Sequence, residues 1–294
     1  MPSPPWRHPR AVAASAVRSS VAVMTDAVNS ELLTLAHDIA TRAGALALQR
    51  RREGVDVAAT KSGPTDIVTQ ADRETEALIR SLIADARPND GFFGEESDAS
   101  GGTSGLTWVV DPIDGTVNFL YGLPAWAVSV AVVEGDPDPA SWTALAGVVV
   151  GPAAGETYRA SAGGGAWLGD TRLAVNQGVE LPYALVATGF SYSSETRAVQ
   201  ADILRTVLPR VRDIRRIGSA ALDLSYLAAG RLDVHFERGL NPWDHAAGGL
   251  IAREAGAKVG GVGGAAEGTA MTIAAEPNLF DAFEALLIEA GYTA

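Results

Sequence analysis

Trp108-Val109-Val110-Asp111-Pro112-Ile113-Asp114-Gly115-Thr116 is the stretch on which a reading of this chain turns. Its apolar run has strand character and delivers Asp111 to the end of a strand. Pro112 has no N–H for a ladder and is expected to stop the pairing there. The Pro and Gly chemistry makes a tight turn that lets Asp114 point back toward Asp111. Gly115-Thr116 then open a short helical turn with free backbone N–H groups. Two carboxylates held this close repel, and a pKa rises unless a cation lies between them. A hard divalent ion with oxygen ligands, Mg²⁺ by type, resolves the conflict. A phosphate fits between such cations and the Gly115 and Thr116 amides.

A lone Asp-Pro pair is ordinary turn chemistry, but carboxylates stand at three further expected strand ends or helix starts. These are Gly94-Glu95-Glu96-Ser97, Thr69-Gln70-Ala71-Asp72 and Trp243-Asp244. Around them, Leu32, Leu35, Ile39, Ala43 and Leu46 recur at helical spacing from a Ser30 cap to Gly54. A second helix is expected over Thr69 to Ala86, then strands at Gly91–Gly94, Trp108–Val110, Ala125–Val133, Ala144–Val150 and Glu156–Ala160. That order predicts a large antiparallel sheet backed by helices on one face. From about Gln177 strands and helices alternate: Ala184–Ala187, Ser194–Leu208, Ile214–Ile217, Ala220–Ala229, Leu232–Phe236, Trp243–Ala255, Thr272–Ala274 and Pro277–Ala290. The fold class is therefore α/β, with an α+β N-terminal half and an α/β C-terminal half. The expected division is a basic tail without order over 1–26, a metal-binding subdomain over 27–176, and a subdomain over 177–294 that completes the site.

Composition narrows the functions open to the chain. At 294 residues it is one large domain or two closely packed halves, and 47% hydrophobic with 20% charged residues is ordinary for a globular chain. The absence of cysteine excludes disulfides, thiolate nucleophiles and Cys-ligated zinc. A net charge of −12 argues against nucleic-acid binding by phosphate neutralisation. It leaves room for a phosphorylated substrate where metal ions bring the positive charge. No apolar run reaches the ~18–20 residues of a membrane helix. Met1–Val23 carries Arg7, Arg10 and Arg18 and no acidic residue, and Arg18 breaks the apolar run that a signal peptide needs. The expected location is cytoplasmic.

Taken together, these segments resemble the inositol monophosphatase family of Mg²⁺-dependent, Li⁺-sensitive phosphomonoesterases. Trp108 to Phe119 matches the first signature of that family, and Trp243-Asp-His-Ala-Ala-Gly-Gly-Leu-Ile-Ala-Arg-Glu-Ala-Gly256 the second. Gly94-Glu-Glu-Ser97 and Lys61-Ser-Gly-Pro-Thr-Asp66 fit upstream segments, so the likeness runs from about Ser30 to the C-terminus. The resemblance implies a layered α-β-α-β-α sandwich and a site with two to three Mg²⁺ ions. Glu95, Asp111 and the Ile113 carbonyl would hold the ion that acidifies the attacking water. Asp111, Asp114 and Asp244 would hold the ion that stabilises the leaving oxygen, and Glu95 would touch a third. Paired cations ~3.5–4 Å apart clamp both ends of an in-line displacement. Thr116, oriented by Asp72, would position that water, and Lys61 is a possible member of the site. Gly218, Ser219 and Ala220 would offer donors to the substrate, and Glu237 would accept its ring hydroxyls. Leu120-Tyr121-Gly122 departs from the family, which often has a basic residue there.

The implied reaction is hydrolysis of myo-inositol 1-phosphate or a related small polyol phosphate by a homodimer. Fructose-1,6-bisphosphatase, histidinol-phosphate phosphatase and nucleotide 3′-phosphatase activities are the alternatives within the class. A binding module for transcription machinery is the alternative outside it, and the chain has no basic stripe to support it. Gly163-Gly164-Gly165 and Gly260–Gly268 read as turns, and Ser191, Ser193 and Ser194 lack a nucleophile elbow. His245 is read as packing, and His235 as a strand residue with no second histidine nearby.

Overall fold

A long helix opens the chain: α1 (Ser20–Glu53) begins at Ser20 rather than at the expected Ser30 cap. The computed structural model describes residues 20–55, 57–60 and 67–292. Of the expected basic tail, 1–19 lie outside the described residues and the rest of the span is helical backbone. Strands β1 (Val57–Thr60) and β2 (Ile67–Thr69) pair antiparallel and lead into α2 (Gln70–Ala86). Thr69 caps α2, and the Asp72 carboxylate accepts from the Thr69 backbone N–H at 2.8 Å, closing a capping box.

The larger sheet has seven strands in sequential order. They are β3 (Gly91–Gly94), β4 (Leu106–Asp114), β5 (Ala127–Glu134), β6 (Thr143–Gly151), β7 (Glu156–Ser161), β8 (Gly165–Leu168) and β9 (Thr171–Arg172). A short helix, α3 (Thr116–Tyr121), follows β4. Two expectations need correction here. Pro112 does not end the strand: β4 slips register after Asp111 and pairs again at Asp114 with Ala127. Because β3 stops at Gly94, the stretch past Val110 has no partner on that side, and an edge position tolerates proline. The sheet is also not wholly antiparallel, since β3 runs parallel to β4 with Gly94 beside Val110.

Helices cover both faces of this sheet, not one. Period-two alternation sends Trp108, Val110, Val128, Val130, Val132 and Val148 into a core with Ile39 and Ala43 of α1 and Ile79 and Ile83 of α2. Val109, Ala131, Val133 and Val149 point the other way. They pack on α5 (Ala220–Ala228) and α6 (Pro242–Glu254). The second sheet joins β10 (Leu185–Thr188), β11 (Asp213–Arg215), β12 (Val234–Glu237), β13 (Lys258–Gly260) and β14 (Thr272–Ala275) in the order β11-β10-β12-β14-β13. Its outer face buries Val186, Val234, Phe236 and Ile273 against α4 (Ser194–Val207) and α7 (Pro277–Glu289). The layers are thus α1/α2, sheet, α5/α6, sheet and α4/α7, the expected sandwich. Ala187 and Ala274 of the second sheet share one core with Val109 and Val149 of the first, through α5 and α6.

Small residues let α6 lie close on the first sheet. A Cβ on Gly147 of β6 would stand 3.0 Å from both the Cα and the carbonyl oxygen of Ala247. Backbone atoms give less than the end of a flexible side chain, so Gly147→Val forces α6 outward. The expected cost is about 1–3 kcal/mol of unfolding free energy, as for other overpacked cores. Chemical denaturation measures it, and an unchanged midpoint would show that α6 is not seated as described.

Candidate active site

The parallel register of β3 and β4 sets the first pair of acidic residues. With Gly94 beside Val110, Glu95, just past the end of β3, comes next to Asp111, which is still paired in β4. Asp111 follows Val109 on the face that α6 covers, and its Oδ1 accepts the Ile113 N–H at 3.0 Å. That contact is the local Asx turn which folds the chain back after Pro112. Ser129, opposite Asp111 on β5, donates its hydroxyl to the Trp243 carbonyl at 3.2 Å and fixes the start of α6 on the sheet. Asp244 therefore arrives above Asp111, held by the Asn241 N–H at 2.7 Å.

Asp114 is held by the start of α5. Its Oδ2 accepts from the Ser219 hydroxyl and from the Ala221 N–H, each at 2.7 Å, while Ser219 also caps α5 through the Leu222 N–H at 3.2 Å. The positive end of a helix favours a carboxylate there. Gly115 is required by the approach of the two halves: its φ is +92°, and a Cβ would sit 2.9 Å from the Gly218 carbonyl oxygen. Next along, Thr116 Oγ1 lies 3.0 Å from the Ile113 carbonyl and 3.3 Å from Asp72 Oδ1, two acceptors for one proton.

Asp111, Asp114 and Asp244 each offer an oxygen within 4.8 Å of the others. Glu95 stands outside that group but lines the same cavity of about 250 Å³. Ile113, Gly115, Thr116, Gly218, Ser219, Ala220 and Glu237 line it too. Asp72 is buried behind Thr116, and Lys61 lies outside the described residues. The sequence did not single out Arg216, Arg238, Phe190 or Tyr192, which complete the wall. No local motif marks them, because they reach the cavity only through the second sheet. Ser191 also lines the wall, without the elbow of a nucleophile. His245 is buried with both ring nitrogens unpartnered, near the Trp142 ring at 6.0 Å. His235 is not isolated: Asp223 lies beside it.

Burial dominates the electrostatics. It pushes the Asp114 carboxyl up to about 6, with the Glu95 charge adding, against hydrogen bonds from Ser219 and Ala221. Burial, then the Glu95 and Asp114 charges, raise Asp244 well above the carboxylate range. Glu237 is pushed up to about 8 by burial and the Asp114 charge, opposed by Arg216. Half-buried carboxylates in mutual repulsion fit a divalent cation of the oxygen-preferring kind.

Comparison with known proteins agrees with this geometry. The inositol monophosphatase family model matches residues 28–287. An inositol-1-monophosphatase of Mycobacterium leprae is 45% identical over 285 residues, covering 87% of this chain and 93% of its own length. The solved structure of Mycobacterium tuberculosis SuhB superposes with a TM-score of 0.76 at 42% identity, covering 90% of this chain and 98% of that one. A Vibrio cholerae relative at 39% identity over 231 residues, 78% of this chain and 84% of its own length, bears the name Nus factor SuhB. The chain belongs to the inositol monophosphatase family and is a phosphatase with an acidic group able to hold metal. No helix among the described residues is long and apolar enough to cross a membrane.

The raised carboxyls fix the sign of a pH effect. A carboxyl whose pKa is higher folded than unfolded favours the fold when protonated, and that contribution is lost as pH rises through the folded value. The loss begins in the ordinary carboxylate range and is complete near about 6 for Asp114 and about 8 for Glu237. Chelator-treated protein is therefore expected to melt at lower temperature as pH rises across this window, and Mg²⁺ is expected to reverse the trend. Thermal melts with and without Mg²⁺ measure this; a chelated protein that gains stability over the window would contradict the assignment.

Proposed function

We propose that this chain is a Mg²⁺-dependent phosphomonoesterase that hydrolyses myo-inositol 1-phosphate or a related small polyol phosphate. One observation carries the reading: the group formed by the buried Asp111 and the half-buried Asp114 and Asp244 opens on a cavity that Glu237 also lines. Glu95, Asp111 and the Ile113 carbonyl would hold one cation, Asp111, Asp114 and Asp244 another, and Glu95 a third. Bound there, divalent cations supply Lewis acidity, lowering the pKa of the attacking water and stabilising the leaving oxygen.

The chain itself binds, orients and moves a proton. The Gly115 and Thr116 amides hold the phosphoryl oxygens. As the attacking water gives up a proton to Thr116 Oγ1, the hydroxyl proton of Thr116 passes on to the Asp72 carboxylate, so that Asp72 ends protonated and the hydroxide oxygen bonds to phosphorus. Gly218, Ser219 and Ala220 border the alcohol side, although the Ser219 hydroxyl is already committed to Asp114. Glu237 accepts hydroxyl hydrogen bonds from the polyol, which suits a leaving group rich in O–H donors. A cytoplasmic homodimer belongs to the same reading and rests on the family likeness.

Asp111→Asn removes a charge shared by both cations. Turnover is expected to fall by more than about 100-fold, beyond what losing a hydrogen-bond partner behind a ligand costs. The fold should survive, since a repelling charge is gone. Phosphate release from inositol 1-phosphate, fructose 1,6-bisphosphate, histidinol phosphate and a 3′,5′-nucleotide tests substrate and variant together. Near-normal turnover by the variant would refute the ligand assignment, and no Mg²⁺-dependent turnover of any of the four would sink the enzyme reading. Millimolar Li⁺ should inhibit the turnover that is found.

A further inference from the structure

Behind the wall that carries Glu237 lies a second cluster. Asp223 of α5 and His235 and Glu237 of β12 bring a carboxylate oxygen, an imidazole nitrogen and a second carboxylate oxygen within 4.8 Å of one another. Asp223 is 1% exposed and His235 is fully buried. His235 Nδ1 stands 3.8 Å from Asp223 Oδ2, too far for a hydrogen bond. Neither ring nitrogen of His235 nor Asp223 Oδ1 has any hydrogen-bond partner. Buried polar atoms without partners are rare, and a site that gathers three of them calls for an occupant. The Arg216 charge acts on both carboxylates, but burial outweighs it and holds both carboxyls above their ordinary values.

We propose that Asp223, His235 and Glu237 form a divalent-cation site separate from the Asp111, Asp114 and Asp244 group. One imidazole with two carboxylates suits a first-row ion of the Mn²⁺ or Zn²⁺ kind, whereas the all-oxygen group suits Mg²⁺. Tetrahedral ligands ~2.0–2.2 Å from one ion stand about 3.3–3.6 Å apart, so the 3.8 Å pair and the other two, all within 4.8 Å, draw inward as the ion binds. Glu237 borders the cavity, which gives the ion its route in and a water as fourth ligand. A carboxylate has two oxygens, so Glu237 can hold the ion with one and face the cavity with the other. Gly189 leaves room for this: a Cβ there would fall 1.8 Å from Glu237 Oε1. The site does not depend on which ester is cleaved.

Electron spin-echo modulation of Mn²⁺-loaded protein tests the site directly, because a coordinated imidazole nitrogen modulates the echo and an all-oxygen site does not. Chelator-stripped full-length protein saturated with Mn²⁺ should show imidazole modulation. His235→Phe should lose it while still binding Mn²⁺ with an oxygen-only signal; His235→Asn replaces that variant if phenylalanine prevents folding. Wild-type protein without modulation at saturating Mn²⁺ would overturn the proposal without any variant. Modulation that survives in folded His235→Phe would overturn it too, by assigning the nitrogen to another histidine such as His245. No activity is read, so a failed substrate assignment leaves this result untouched.

Discussion

Mutual repulsion among carboxylates taken out of water is the constraint on which this structure depends. Each group loses hydration, and each makes its neighbours harder to ionise. The fold meets the cost with directed N–H and O–H donors. Ser219 and Ala221 at the start of α5 hold Asp114, the Asn241 N–H at the start of α6 holds Asp244, and the Ile113 N–H holds Asp111. These contacts orient the oxygens without neutralising them. The residual charge is what makes the cavity floor receptive to cations. It also explains why α5 and α6 lie between the two sheets: their N-termini have to reach the edge where β3 and β4 end.

Legibility in the sequence followed the range of the interactions. The turn from Asp111 to Thr116 was readable because Pro112, Gly115 and the two aspartates act on their immediate neighbours. Helix limits such as Gln70–Ala86 and Pro277–Glu289 were readable to within a residue, because Pro88 stops the first and a proline opens the second. The parallel pairing of β3 with β4 was not, because four residues carry no signal for strand direction. Nor was the coverage of both sheet faces: the buried runs Val128–Val133 and Ala146–Val150 suit a strand covered on two sides, but say nothing of which helix covers it. The positions of Arg216 and of Asp223 beside His235 depend on β11, β12 and α5 meeting in space, which no local spacing encodes.

The overall charge takes a different meaning once placed. A net charge of −12 argues against nucleic-acid binding by phosphate neutralisation, and five of the acidic side chains, Glu95, Asp111, Asp114, Glu237 and Asp244, line one cavity. Cations held on that floor would invert its sign locally and favour an anionic substrate. Arg216 and Arg238 line the same cavity and add positive charge to it.

Calorimetric titration of Mg²⁺ into chelator-stripped protein at about pH 6, in buffers of different ionisation enthalpy, tests the central claim most directly. Near that pH the Asp114 carboxyl is part-protonated without a cation. The account predicts saturable binding with proton release that fades as pH rises past the raised carboxyls. Absence of saturable binding, or binding that releases no proton at this pH, would contradict it.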